Sequence, residues 1–126
     1  MLSFTVSGSL FKSSNSALNG NSTPSFTWAQ IVWAAISVGK AESAHVLRYG
    51  LHSGFELLRR IGIVFANWRE DASGRVCKTS AFKALNPSEK GAMSYFFGLT
   101  VAKLLASARL GVPWLMHLDV YRHRVS

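Results

Sequence analysis

Apolar positions recur along the chain at two different periods, and the period assigns the elements. After Trp28, the residues Ile31, Val32, Ala35 and Ile36 follow at helical spacing, with no charged residue between Lys12 and Lys40. Steps of three and four place these side chains on one side of a helix, and the missing charge predicts burial on most sides. Thr23-Pro24 offers an N-cap and a first-turn proline, so a helix is expected over about 24–38, up to a break near Gly39.

A second helix is expected over about 41–67. At about 100° per residue, His45, Arg48, His52, Glu56 and Arg59 fall in one polar arc, with Leu47, Leu57, Leu58 and Ile61 opposite. Gly50 and Gly54 lie within the apolar arc. Glycine weakens a helix interior, so the pair predicts close approach of another helix or a break near Tyr49-Gly50.

Asn86-Pro87-Ser88-Glu89 is a compact start signal. Asn caps, Pro suits the first position, and Glu can reach back to the N-cap amide. The helix expected over about 87–110 is apolar nearly all round, with Lys103 an isolated charge and Gly98, Ala102 and Ala106 in a row of small residues. That row is expected to face Gly50 and Gly54. Gly111 and Pro113 end the helix, and Arg109 complements its C-terminal dipole.

Period two marks the chain ends. Over about 113–121 the residues alternate, placing His117, Asp119, Tyr121 and His123 on one face of a C-terminal strand. Leu2, Phe4, Val6 and Leu10 give a weaker N-terminal strand over about 2–10. The fold class is therefore mainly α, or α+β if the two strands pair. Residues 1–23, rich in Ser, Asn and Gly, form a flexible or strand-like segment before a single helical domain over 24–126.

Composition adds two facts. At 126 residues, 48% hydrophobic and 16% charged, the chain is drier than an average soluble domain, which suggests a core continued by a partner or a further segment, or contact with a membrane. A net charge of +8 permits contact with nucleic acid or anionic surfaces. Arg59, Arg60, Arg69, Arg75, Lys78 and Lys83 form a loose basic series, with Trp68 and Phe82 among them as stacking candidates. The competing reading is a solvated connector around a dry core.

For chemistry, His117, Asp119 and His123 could supply metal ligands from one strand, with His117 and Asp119 as catalytic candidates. The competing reading is the wet face of an edge strand, which carries more weight. The face of His45, Arg48, His52 and Glu56 is likewise better read as ordinary i,i+4 pairing than as an acid–base set. A single cysteine, Cys77, excludes an internal disulfide and a Cys-rich zinc site. The H-E-x-x-H, P-loop, G-x-G-x-x-G and G-x-S-x-G patterns are all missing. No cofactor is indicated. Nor does any unbroken apolar run reach the length of a membrane span, and no signal peptide pattern opens the chain, so the default location is the cytoplasm.

The stretch NPSEKGAMSYFFGLTVAKLLASARLGVPWLMHLDVY, covering about residues 86–121, resembles a segment of uncharacterised bacterial proteins. In those longer chains it precedes a nuclease-like α/β domain whose acidic and lysine residues follow the His-Leu-Asp strand. The resemblance implies the N-terminal part of a larger protein and transfers no nuclease activity to these residues. The expected function is a non-enzymatic helical module acting by protein–protein contact or as part of a larger protein, with a protein partner or a second copy meeting the terminal strand and apolar helix faces. The alternative is a basic nucleic-acid-binding accessory domain, linked to a nuclease.

Overall fold

The computed structural model describes residues 25–115 and, before them, the backbone of 2–3, 6–8 and 20–22. Four helices dominate: α1 (Trp28–Ser37), α2 (Leu51–Asn67), the single turn α3 (Ser80–Lys83) and α4 (Pro87–Leu110). Short antiparallel pairs join β1 (Leu2–Ser3) to β4 (Ser25–Phe26), β2 (Val6–Gly8) to β3 (Gly20–Ser22), and β5 (Trp68–Glu70) to β6 (Val76–Lys78). The protein is mainly α with small β additions, as the periodicity predicts. Of the expected N-terminal strand, the described residues form two short pieces paired with 20–22 and 25–26.

Helix α1 lies between α2 and α4 and packs on both. Its first cap is Thr27, not Thr23. The Thr27 hydroxyl accepts from the Gln30 amide at 3.2 Å, and the Thr27 amide donates to the Gln30 side chain at 2.8 Å. The start moves because Ser25 and Phe26 are drawn into pairing with Ser3 and Leu2. Ile31, Ala34 and Ala35 join Phe26, Val64, Trp68 and Leu104 in the core.

Helix α2 begins ten residues later than its pattern suggests. Residues 43–45 form one 3-10 turn, and Gly50 stands before the helix at φ 60°, ψ −125°. That backbone lies in a region L side chains rarely adopt, which explains the glycine by conformation. Close approach does not explain it: a Cβ on Gly50, Gly54 or Gly98 would meet nothing within 4 Å. The expected contact between the two rows of small residues is therefore absent.

The connector 68–86, with no element expected in it, holds the β5–β6 hairpin and α3. An Asp71 carboxylate oxygen accepts from the amides of Ser73 and Arg75, each at 2.9 Å, and from the Ser73 hydroxyl at 2.7 Å. Those bonds, the Arg75 amide first, hold the Asp71 carboxyl below its ordinary range. Thr79 then closes the hairpin onto α2. Its amide donates to the Asn67 carbonyl at 3.0 Å and its hydroxyl to the Ala66 carbonyl at 2.6 Å, while the same hydroxyl caps α3.

Helix α4 starts where its sequence signal places it. Asn86 accepts from the Glu89 amide at 2.9 Å and its own amide donates to the Glu89 carboxylate at 3.2 Å. Gly111, at φ 65°, caps the other end. By length and composition α4 passes the test for a membrane span, with a mean hydropathy of 1.2 in its most apolar window, although Lys103 and Arg109 interrupt its apolar run. Only 22% of that apolar stretch is buried, so α4 packs on α1 along one side and leaves most of its surface uncovered. Beyond Gly111 the chain passes through Pro113 and Trp114 to Leu115, whose carbonyl accepts from the Gly39 amide at 2.8 Å. Residues 113–115 are not part of a regular strand, and the rest of the expected C-terminal strand lies outside the described residues.

Candidate functional site

The basic series of the sequence divides once it is placed in space. Arg60 turns inward. Its Nη1 donates to the carbonyls of Ala35, Ile36 and Val38 at 3.0, 3.3 and 2.9 Å, and its Nε to Glu56 at 2.7 Å. It thus satisfies the carbonyls that the end of α1 leaves open. Arg59, one residue earlier and exposed, grips the same Glu56 through two bonds at 2.9 and 3.0 Å. The hydrogen bond from Arg59, and then that from Arg60, hold the Glu56 carboxyl down at about 2 against the opposing effect of burial. Arg69, Arg75 and Lys78 lie on the hairpin, Arg75 within its turn, and Lys83 follows on α3. The two aromatic residues among them, Trp68 and Phe82, are buried, and Lys78 sits 4.7 Å from the Phe82 ring centre. Neither ring is free to stack on a base.

The helical face of His45, Arg48, His52 and Glu56 is not one face. His45 belongs to the 3-10 turn, is buried, and meets Glu42 at 3.4 Å. His52 and Glu56 share an open groove with Lys40, Tyr49 and Ser53. Burial, aided by the Arg60 charge, lowers the Lys40 pKa. His117, Asp119 and His123 lie outside the described residues. Among the described residues no group of three or more His, Cys, Asp or Glu is placed to hold a metal ion.

Two features to which the sequence assigned no role stand apart. The first is Lys103, only 2% exposed in the middle of α4. Its Nζ donates to the Ser37 hydroxyl, which in turn donates to the Trp33 carbonyl at 2.5 Å. The rings of Trp33 and Trp114 flank the ammonium, with centres 5.4 and 4.6 Å away. Burial pulls its pKa down from 10.5 to about 8. The isolated lysine in an apolar helix was the available signal, and its partners come from 66 residues away in sequence.

The sign of the resulting pH dependence follows directly. Between about 8 and 10.5 the folded protein holds fewer protons at Lys103 than the unfolded chain, so stability rises with pH across that window. Denaturant unfolding of the wild-type protein and Lys103→Met, compared at either end of the window, should show the wild type gaining on the variant as pH rises. A constant difference between the two would refute it.

The second feature is the outer face of α2. Leu51, Phe55, Leu58 and Phe65 are 75, 62, 61 and 53% exposed, and Gly62 stands in the same row. Ser53, Glu56, Arg60 and Asn67 instead occupy the face toward the protein. Helix α2 therefore turns Val64 to the core alongside Ser53, Asn67 and Arg60, keeps His52 and Arg59 exposed, and still leaves an apolar stripe outward. Arg60 is drawn in by the carbonyls at the end of α1.

Comparison with family models, curated proteins and solved structures finds no match to this chain.

Proposed function

We propose that the protein is a non-enzymatic helical assembly module that pairs with a second copy of itself through the outer face of α2. The observation behind this reading is the spacing of the exposed stripe. Leu51, Phe55, Leu58, Gly62 and Phe65 are separated by four, three, four and three residues, the a/d rhythm of a seam between two helices. A random scatter of exposed apolar residues would lack that rhythm. The four large side chains offer on the order of 500 Å² per copy, so a symmetric pair would bury about 1,000 Å², the lower limit of a specific interface.

The flanks permit self-pairing. Gly54 and Ile61 carry no charge, and on the other side Arg59 is paired to Glu56, a carboxylate it shares with Arg60. The nucleic-acid alternative has less support, because Arg60, Trp68 and Phe82 all serve the interior.

Light scattering coupled to size exclusion tests the pairing. The wild-type chain should run at twice its 13.8 kDa mass, and Phe55→Asp or Leu58→Asp at the single mass with an unchanged helical circular dichroism signal. A wild-type monomer at about 100 μM, well above the Kd range of stable dimers, would overturn the proposal. So would a monomer that sediments with lipid vesicles, which would make the stripe a membrane contact.

A further inference from the structure

A cavity of about 220 Å³ opens beside the buried lysine, between α1, α4 and the segment after α4. Phe26, Ala34, Leu104 and Pro113 supply apolar wall; Trp33 and Trp114 flank Lys103 in the same wall. Gln30 and Ser107 also line it. Both belong to exposed stretches of their helices, so they stand at the mouth. The carboxamide oxygen of Gln30 is occupied by the Thr27 amide, leaving its NH₂ group as a donor.

The electrostatics are unbalanced. An ammonium withdrawn from water is ordinarily matched by an opposite charge. Here, among the described residues, the groups that meet the Lys103 Nζ are one hydroxyl from α1 and two indole rings, one from α1 and one from the segment after α4. No described carboxylate forms an ion pair with it, and burial alone perturbs its titration. Ser37 uses its proton on the Trp33 carbonyl, so it can meet only part of what three ammonium donors require.

We propose that this cavity binds a small monocarboxylate with an apolar body, its carboxylate paired to Lys103 and its body against the two tryptophans. A single cation suits a single negative charge. A phosphate dianion would call for several converging donors, typically arginine. The cavity is below the roughly 300–1,000 Å³ of sites for drug-sized ligands, which restricts the ligand to a small one. Gln30 and Ser107 at the mouth can donate to the outer carboxylate oxygen.

The site is independent of the α2 seam, and its test distinguishes the two. Benzoate and its neutral counterpart benzamide serve as probes, followed by tryptophan fluorescence and by the indole N–H signals in NMR spectra. Benzoate should perturb the Trp33 and Trp114 signals saturably and bind at least tenfold more tightly than benzamide. Its affinity should fall about tenfold per pH unit above pH 8, as the ammonium is lost. Lys103→Met should erase the preference for benzoate while keeping the affinity for benzamide, which also shows that the cavity is still formed. Equal binding of the two probes by the wild-type protein would overturn the proposal, as would benzoate binding that survives Lys103→Met. No saturable change up to about 20 mM benzoate would overturn it as well, since even a weak specific site is half filled well below that level.

Discussion

Arg60→Met is expected to lower the stability of the protein by about 3 kcal/mol, a fall in Tm on the order of 10 °C for a chain of this size. Methionine preserves most of the aliphatic stem and removes the guanidinium. Three carbonyls at the end of α1 then lose their donor in a site too enclosed for water to replace it freely. Arg59→Met is the matched control. It breaks a pair with the same carboxylate from the next position along α2, but in contact with solvent, where such pairs contribute at most about 1 kcal/mol. Thermal unfolding followed by circular dichroism separates the two. Equal losses would show that the bonds to α1 contribute no more than a surface ion pair. Glu56 titrates under the influence of both arginines, with Arg59 foremost, yet Arg60 carries the structural load because of what else it holds.

Trp68→Ala should produce the larger defect, about 3–5 kcal/mol. Trp68 is 4% exposed and closes three elements together. Its amide donates to the Val64 carbonyl at the end of α2, its backbone opens β5, and its ring lies 4.5 Å from that of Phe97 on α4. Total stabilities of single domains run from about 5 to 15 kcal/mol, so the variant should unfold at low denaturant or fail to fold. Tyr95→Ala, on the exposed side of α4, should change stability by no more than about 0.5 kcal/mol. Chemical denaturation of the three proteins measures the contrast. A Trp68→Ala variant as stable as Tyr95→Ala would remove Trp68 from the core.

How much of this was legible in the sequence depended on whether a signal was local. The start of α4 was legible to the residue because Asn86, Pro87 and Glu89 act on one another within a single turn. The start of α1 was displaced by the pairing of Phe26 with Leu2, a contact that no window around Thr23 contains. The hairpin did have a local cue, Asp71 with Gly74 three residues on, but its strands are too short and polar to show alternation. Orientation was the largest miss. The wheel put His52, Glu56 and Arg59 in one polar arc; His52 and Arg59 do face water, but Glu56 turns toward Arg60, which reaches carbonyls of α1 some 25 residues earlier. The same limit applied to Lys103, conspicuous as an isolated charge but without meaning until Ser37, Trp33 and Trp114 gathered around it.

The three carbonyls held by Arg60 also act as a positional stop between two helices. Apolar faces are smooth at the scale of a residue, and two of them can slide or rotate with little change in buried area. A guanidinium that must reach the last carbonyls of α1 allows one placement only. Slipping α2 by a single turn would carry it about 5.4 Å away and break every one of those bonds. The outward row from Leu51 to Phe65 therefore keeps a fixed address relative to the core on every copy of the chain.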